Sequence, residues 1–231
     1  MQAPVSAATP PPMIPRALFV IALLYGGMAV LAGVLGTKLA FLGTWPLLGD
    51  LAVESGIFAF LLLVVMSSAV AELYGQATAN RLVRFGFIPL IVSMVLLTLV
   101  IRVVPPAPFW SDQDAFARLL GQGARMQFAG LISYGVSQTL NVYLFGKLAG
   151  GRSGGKLLMV RAWIASLLSQ TIDTVIFITI SFYGVVDAAS GQPMPIGAIM
   201  EGQIISKLVL STIMVPPFIW LFVRLGRKLD A

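Results

Sequence analysis

The sequence predicts an all-α membrane protein of six transmembrane helices. Three observations carry that expectation. Of its 231 residues 58% are hydrophobic and only 10% charged, with a mean hydropathy of +0.94, whereas water-soluble domains carry about a quarter charged residues. Apolar runs near the roughly 20 residues needed to cross a bilayer recur along the chain. The basic residues between the runs fall unevenly on alternate sides.

The first 16 residues, MQAPVSAATPPPMIPR, combine prolines and small residues with a single charge, Arg16, and predict an irregular tail. They lack the early basic head of a signal peptide. The rest, 17–231, reads as a single six-helix domain with spans at 17–36, 51–71, 85–104, 126–148, 157–184 and 196–223. The connection 104–125, with PPAPFW near its start and mixed charge after it, suits either a surface loop or a short interfacial helix. The glycines Gly150, Gly151, Gly154 and Gly155 predict a flexible linker, and their spacing to Lys matches no phosphate-binding loop.

Orientation follows from Lys and Arg. Arg16, Arg81, Arg84, Lys147, Arg152, Lys156, Arg161, Arg224, Arg227 and Lys228 fall on one side, against Lys38, Arg102, Arg118, Arg125 and Lys207 on the other. The richer side is expected to be cytoplasmic, with both termini on it. Asp50, Glu54, Asp112, Asp114, Asp187 and Glu201 lie on or near the poorer side, and Trp45, Trp110 and Trp220 sit at expected interfaces.

The absence of Cys and His excludes disulfides, thiolate or imidazole metal sites and histidine acid–base chemistry. An aspartyl intramembrane protease needs two facing aspartates, and only Asp173 qualifies. Carboxylates clustered to hold a metal for phosphotransfer are lacking too. No enzyme and no cofactor are expected. The net charge of +6 is spread between apolar blocks and is not gathered with stacking aromatics, which argues against nucleic acid.

A polar side chain in hydrocarbon costs several kcal/mol unless partnered, so the polar residues inside the spans are the candidate functional ones. Asp173 lies roughly 18 Å along its helix from Arg161 at about 1.5 Å per residue. At about 100° per residue, Trp163, Ser166, Asp173, Thr174, Phe177 and Ser181 fall within about 60° of Gln170, forming a polar and aromatic stripe. The fourth span aligns Tyr134, Gln138, Asn141 and Phe145, and the sixth aligns Gln203, Lys207 and Ser211. Three striped faces can surround a polar cavity. The serines suit interhelical hydrogen bonds. Asp173 suits either a ligand contact or an ion pair with Lys207 or Arg161, roles that are compatible. Glu72, near an interface, suits either a functional role or pairing with Arg81 or Arg84, while Tyr74 and Gly75 read as an interfacial anchor and a helix terminator.

Three stretches resemble the queuosine precursor transporter family, also called the vitamin uptake transporter family: ELYG at Glu72 to Gly75 followed by Arg81, Gly86 and Phe87; RAWIASLLSQTIDTVIF, with Arg161, Ser166, Ser169, Gln170, Asp173, Thr174 and Phe177; and Lys207 with Pro216. The chain departs from the family pattern at Ser68 and Ala71, where Asp and Thr are usual, and at Ala162, where Asn is usual. The resemblance implies a multi-pass bacterial inner-membrane importer of 7-deazaguanine precursors of queuosine, such as 7-cyano-7-deazaguanine, with an architecture resembling the substrate-binding subunits of energy-coupling-factor transporters. In that reading Asp173 accepts the ring N–H and exocyclic amine of a guanine-like edge. Gln170, Thr174, Gln138, Asn141 and Lys207 surround it, and Phe177, Trp163 or Tyr134 stack on the ring. Glu72, Tyr74, Arg81 and Arg161 take structural or gating roles. The partners implied are a small purine-like solute and the lipid bilayer; a homo-oligomer is compatible with the reading, and an ATPase partner is compatible but not required. The alternatives are a subunit of an energy-coupling-factor system for another purine-like or vitamin solute, and a structural membrane protein.

Overall fold

The computed structural model describes residues 14–231 apart from 37, 46–48, 122–123, 150–156, 185, 187–190 and 194–195. The expected tail through residue 13 and the Gly150–Gly155 linker lie outside the described residues. The elements in chain order are α1 (Arg16–Leu35), β1 (Leu39–Trp45), β2 (Gly49–Glu54), α2 (Gly56–Tyr74), α3 (Gln76–Val103), α4 (Gln113–Leu120), α5 (Ala124–Ala149), α6 (Leu158–Phe182) and α7 (Ile196–Asp230).

Helices dominate, and five of them (α1, α2, α3, α6 and α7) are long and apolar enough to cross a membrane. The second expected span is corrected at its start, because residues 49–54 form β2, which pairs antiparallel with β1. LAFLGTW carries the strand-favouring Phe41, Thr44 and Trp45, and the breaks at Gly36, Gly43, Pro46 and Gly49 leave no run here long enough for a helix. The register slips between Phe41 and Thr44, where Gly43 has φ +95°; a residue without Cβ takes that bulge without strain. The connection 104–125 contains a short helix, α4.

Gly75 alone separates α2 from α3. It caps α2 at φ 84° and ψ 161°, with its N–H bonded to Ala71 O, so the chain reverses on one residue that a side chain would strain. The chain then crosses the bundle in alternate directions. At one end, here the terminal end, the start of α1 meets the end of α7: Asp230 Oδ1 accepts from Ala17 N–H at 2.9 Å, and Asp230 Oδ2 accepts from the Tyr74 hydroxyl. A carboxylate there also satisfies an otherwise orphaned helix-start N–H. The opposite end carries the hairpin and α4.

The centre of the bundle is α2, which packs against α1, α3, α5, α6 and α7 and is buried over most of its length. One apolar cluster joins Leu61, Val65, Phe145, Ala162, Val215 and Ile219; a second joins Ile21, Tyr25, Met66, Val83 and Val142. By contrast α3 exposes Phe85, Ile88, Ile91, Val95 and Leu99. A helix apolar on its outward face suits lipid as its surroundings.

Candidate functional site

A cavity of about 180 Å3 lies toward the hairpin end. Its walls come from α1 (Ala29, Gly33), α2 (Ile57, Phe60), α3 (Leu90, Met94), α5 (Gly130, Ser133, Tyr134), α6 (Asp173, Phe177) and α7 (Lys207). Pockets for drug-sized ligands span roughly 300–1,000 Å3, so this one suits a compact solute. The lining is largely aliphatic and aromatic, with the charged groups Asp173 and Lys207 together on the α6–α7 side.

On that side Lys207 Nζ donates to Asp173 Oδ2 at 3.0 Å, and the Ser137 hydroxyl donates to Asp173 Oδ1 at 3.2 Å. The sequence left Asp173 a choice between Lys207 and Arg161; Lys207 is the partner. Asp173 is 5% exposed and the Lys207 side chain 14% exposed, so the pair is held out of bulk solvent. A carboxylate has about four acceptor positions, so the bonds from Lys207 and Ser137 do not exhaust it. The Lys207 ammonium also stands 5.7 Å from the Phe60 ring centroid, a cation–π distance.

The aromatic wall is fixed from below. The Tyr134 hydroxyl donates to the Tyr25 hydroxyl at 2.6 Å, while Phe60 and Phe87 meet the Tyr134 ring edge-on, at 5.9 and 5.1 Å between centroids. Gly86 makes room for this arrangement: a Cβ there would sit 2.5 Å from Tyr25 Cε1. The Gly86–Phe87 pair thus positions two tyrosines beside the cavity. Sequence reasoning missed Phe60, Ser137 and Tyr25; a tyrosine inside an otherwise apolar span is a signal for Tyr25, whereas Phe60 carries none.

Asp173, Phe177, Tyr134 and Lys207 therefore converge on the cavity, and five other candidates do not. Gln138 and Asn141 turn toward α2: Ser67 Oγ lies 3.2 Å from Gln138 Oε1, and Asn141 Nδ2 donates toward Ser67 and Ser68 Oγ, each at 3.1 Å. Ser68, a departure from the family pattern, is thus part of a polar clamp between α2 and α5. The Thr174 hydroxyl donates to Gln170 O within its own helix at 3.0 Å. Gln170 is 1% exposed, and neither of its amide atoms has a hydrogen-bond partner among the described residues. Trp163 Nε1 donates to Thr212 Oγ1 at 3.0 Å, away from the cavity. The reason is geometric. From Trp163 to Ser181 the α6 stripe extends roughly 27 Å at 1.5 Å per residue, yet from α6 only Asp173 and Phe177 line the cavity, and periodicity gives a face without saying how far along it a cavity reaches.

The expectation for the partner of Glu72 is corrected. Arg81 and Arg84 are exposed on α3; Arg161 Nη2 donates to Glu72 Oε2 at 2.8 Å across α2 and α6, and Arg227 approaches the other oxygen at 3.9 Å. The Arg161 guanidinium lies 5.1 Å from the Phe145 ring centroid. Among the described residues no cluster of three or more acidic, His or Cys side chains could hold a metal.

The profile of the family described as "putative vitamin uptake transporter" matches residues 54–221. The chain belongs to the vitamin uptake transporter family. The matched stretch includes Glu72, Arg161, Asp173 and Lys207, so both buried ion pairs fall inside it. Membership places the chain among membrane transport proteins, in keeping with its apolar helices. A protein of Bacillus subtilis (strain 168) named "probable queuosine precursor transporter" is 31% identical over 120 residues, which is 51% of this chain and 51% of that protein. The match thus spans about half the length of each. No solved structure matches.

Proposed function

We propose that this vitamin uptake transporter family member imports 7-deazaguanine precursors of queuosine, such as 7-cyano-7-deazaguanine, across a bacterial cytoplasmic membrane. The observation that carries the reading is the buried Asp173–Lys207 pair set among Phe60, Phe177 and Tyr134 in a compact cavity. A guanine-like edge presents an exocyclic amine, a ring N–H and a carbonyl in sequence. Asp173 accepts from the two donors and Lys207 donates to the carbonyl, so the pair complements the whole edge. The aromatic side chains stack on the bicyclic ring, a contact worth about 1–3 kcal/mol per base elsewhere. The name of the Bacillus subtilis relative supports this cargo.

In this reading α5 is the sixth membrane span. It buries Ser133, Ser137, Gln138 and Asn141 and exposes Phe128, Ile132 and Val136, the inside-out polarity expected of a helix between a polar interior and lipid. The basic residues of the terminal end, Arg81, Arg84, Arg224 and Arg227 among them, support a cytoplasmic position for that end. The cavity then opens toward the outer half of the membrane, where a solute arrives, and the Glu72–Arg161 pair closes the cytoplasmic side.

The test uses bacterial cells that neither make 7-deazaguanines nor import them, supplied with 7-cyano-7-deazaguanine, with queuosine in tRNA as the readout. The native protein is expected to restore queuosine and Asp173→Asn, at equal membrane abundance, to abolish it. A well-expressed native protein that restores none would overturn the cargo or reveal the need for a partner, which uptake into vesicles holding only this protein separates.

A further inference from the structure

The charge of the cavity, and not only its shape, discriminates among solutes. Among the described residues that line it, Asp173 and Lys207 are the charged ones, joined at 3.0 Å and opposite in sign. The rest of the wall is apolar or uncharged: Phe60, Phe177, Tyr134 and Ser133 with aliphatic neighbours. A low-dielectric site whose two charges already cancel accommodates an uncharged solute with no net charge left over. Any ion added to it, of either sign, leaves one charge unbalanced in surroundings that solvate it poorly. In a space of about 180 Å3 no part of a bound solute lies far from the pair, so this holds whichever end of the solute carries the ion.

We propose that Lys207 is the specificity-determining residue that restricts this cavity to uncharged heteroaromatic solutes, by neutralising Asp173. Removing the lysine charge while keeping the carboxylate leaves the site with one negative charge and reverses its preference toward cations. Phe60 and Ser137 hold the pair in place, from the lysine side by the ring at 5.7 Å and from the aspartate side by the hydrogen bond at 3.2 Å. Neither carries a charge that could replace Lys207.

This inference rests on the proposed bicyclic cargo, and its test separates the two. The full-length protein in lipid nanodiscs is titrated at neutral pH with 7-cyano-7-deazaguanine and with the analogue bearing an aminomethyl group in place of the nitrile, which is the same ring made cationic. The native protein is expected to bind the nitrile at least about tenfold more tightly. Lys207→Gln is expected to narrow that ratio by at least about tenfold or reverse it, and Lys207→Arg, which restores the charge, to keep the native order. Equal or tighter binding of the cation by the native protein, or an unchanged ratio in Lys207→Gln, overturns the inference and leaves the cargo reading intact. If the native protein binds neither compound, the cargo reading fails and this inference fails with it. The native ratio needs no substitution, so equal or tighter binding of the cation overturns the inference even where Lys207→Gln does not fold, and Lys207→Met then serves as the second charge-removing variant.

Discussion

Two buried ion pairs, each with its carboxylate and cation on different helices, stand at opposite levels of the bundle, and their surroundings separate what they do. Glu72 and Arg161 join α2 to α6 at 2.8 Å near the terminal end. They lie beside Phe145, which belongs to an apolar cluster with Leu158, Ala162 and Val223. Asp173 and Lys207 join α6 to α7 at 3.0 Å, and one side of that pair faces a cavity instead of packed side chains. Arg161 and Asp173 are on the same helix, roughly 18 Å apart along its axis. Each pair is one carboxylate with one cation, so it is packing that encloses the first between helices and leaves the second bordering a cavity.

The largest expected effect tests the clamp. Breaking a buried pair by removing one partner costs about 3–5 kcal/mol, because the survivor keeps its desolvation cost without its counter-charge. Arg161→Met is therefore expected to lower thermal stability more than a substitution at the cavity pair or in its aromatic wall, since the exposed Arg227 at 3.9 Å is too distant to substitute fully. Nanodisc melting curves check this, and a loss no larger than that of Asp173→Asn would erase the distinction between the two pairs.

At the cavity, Asp173→Asn is expected to abolish binding of 7-cyano-7-deazaguanine while costing less stability than Arg161→Met, since Ser137 can still bond the amide. Full binding by that variant would remove the cavity pair from recognition. The double variant Asp173→Asn with Lys207→Gln is expected to melt higher than the sum of the single losses allows; simple additivity in that cycle would show that the two side chains do not couple.

A smaller effect tests the aromatic wall. Gly86→Ala places a methyl group against the Tyr25 ring and, as overpacking, is expected to cost about 1–3 kcal/mol and to weaken solute binding through Tyr134. The smallest concerns Gln170. Its amide has no partner among the described residues, so Gln170→Leu is expected to change stability by less than about 1 kcal/mol, or to raise it, because it removes a polar group that folding leaves unmade. A larger loss on melting would show that Gln170 is held by interactions beyond its present neighbours.

The individual helices were readable because crossing a bilayer demands length and apolarity, which are local properties of the chain; α1 and α6 begin and end within two residues of the expected spans. The hairpin was not: Leu51 to Glu54 is apolar enough to blend into the following span, Leu39 to Asp50 carries no span signal, and the strand character of both arms depends on pairing across the turn. The same division runs through the site. The stripe on α6 identified Asp173 and Phe177, and a lone acid inside hydrocarbon pointed to Lys207 as one of two partners. It could not exclude Trp163, Gln138 or Asn141, which share the same faces but meet α7 and α2 instead of the cavity.

By itself, then, the sequence determined that this is a helical membrane protein with a polar interior, because hydrophobicity and helical period are written residue by residue. Only the tertiary structure decided that Glu72 pairs with Arg161, that Asp173 pairs with Lys207, and that the second pair lines a cavity. Those facts depend on which helices become neighbours and at what height their side chains meet, and no single helix contains that information.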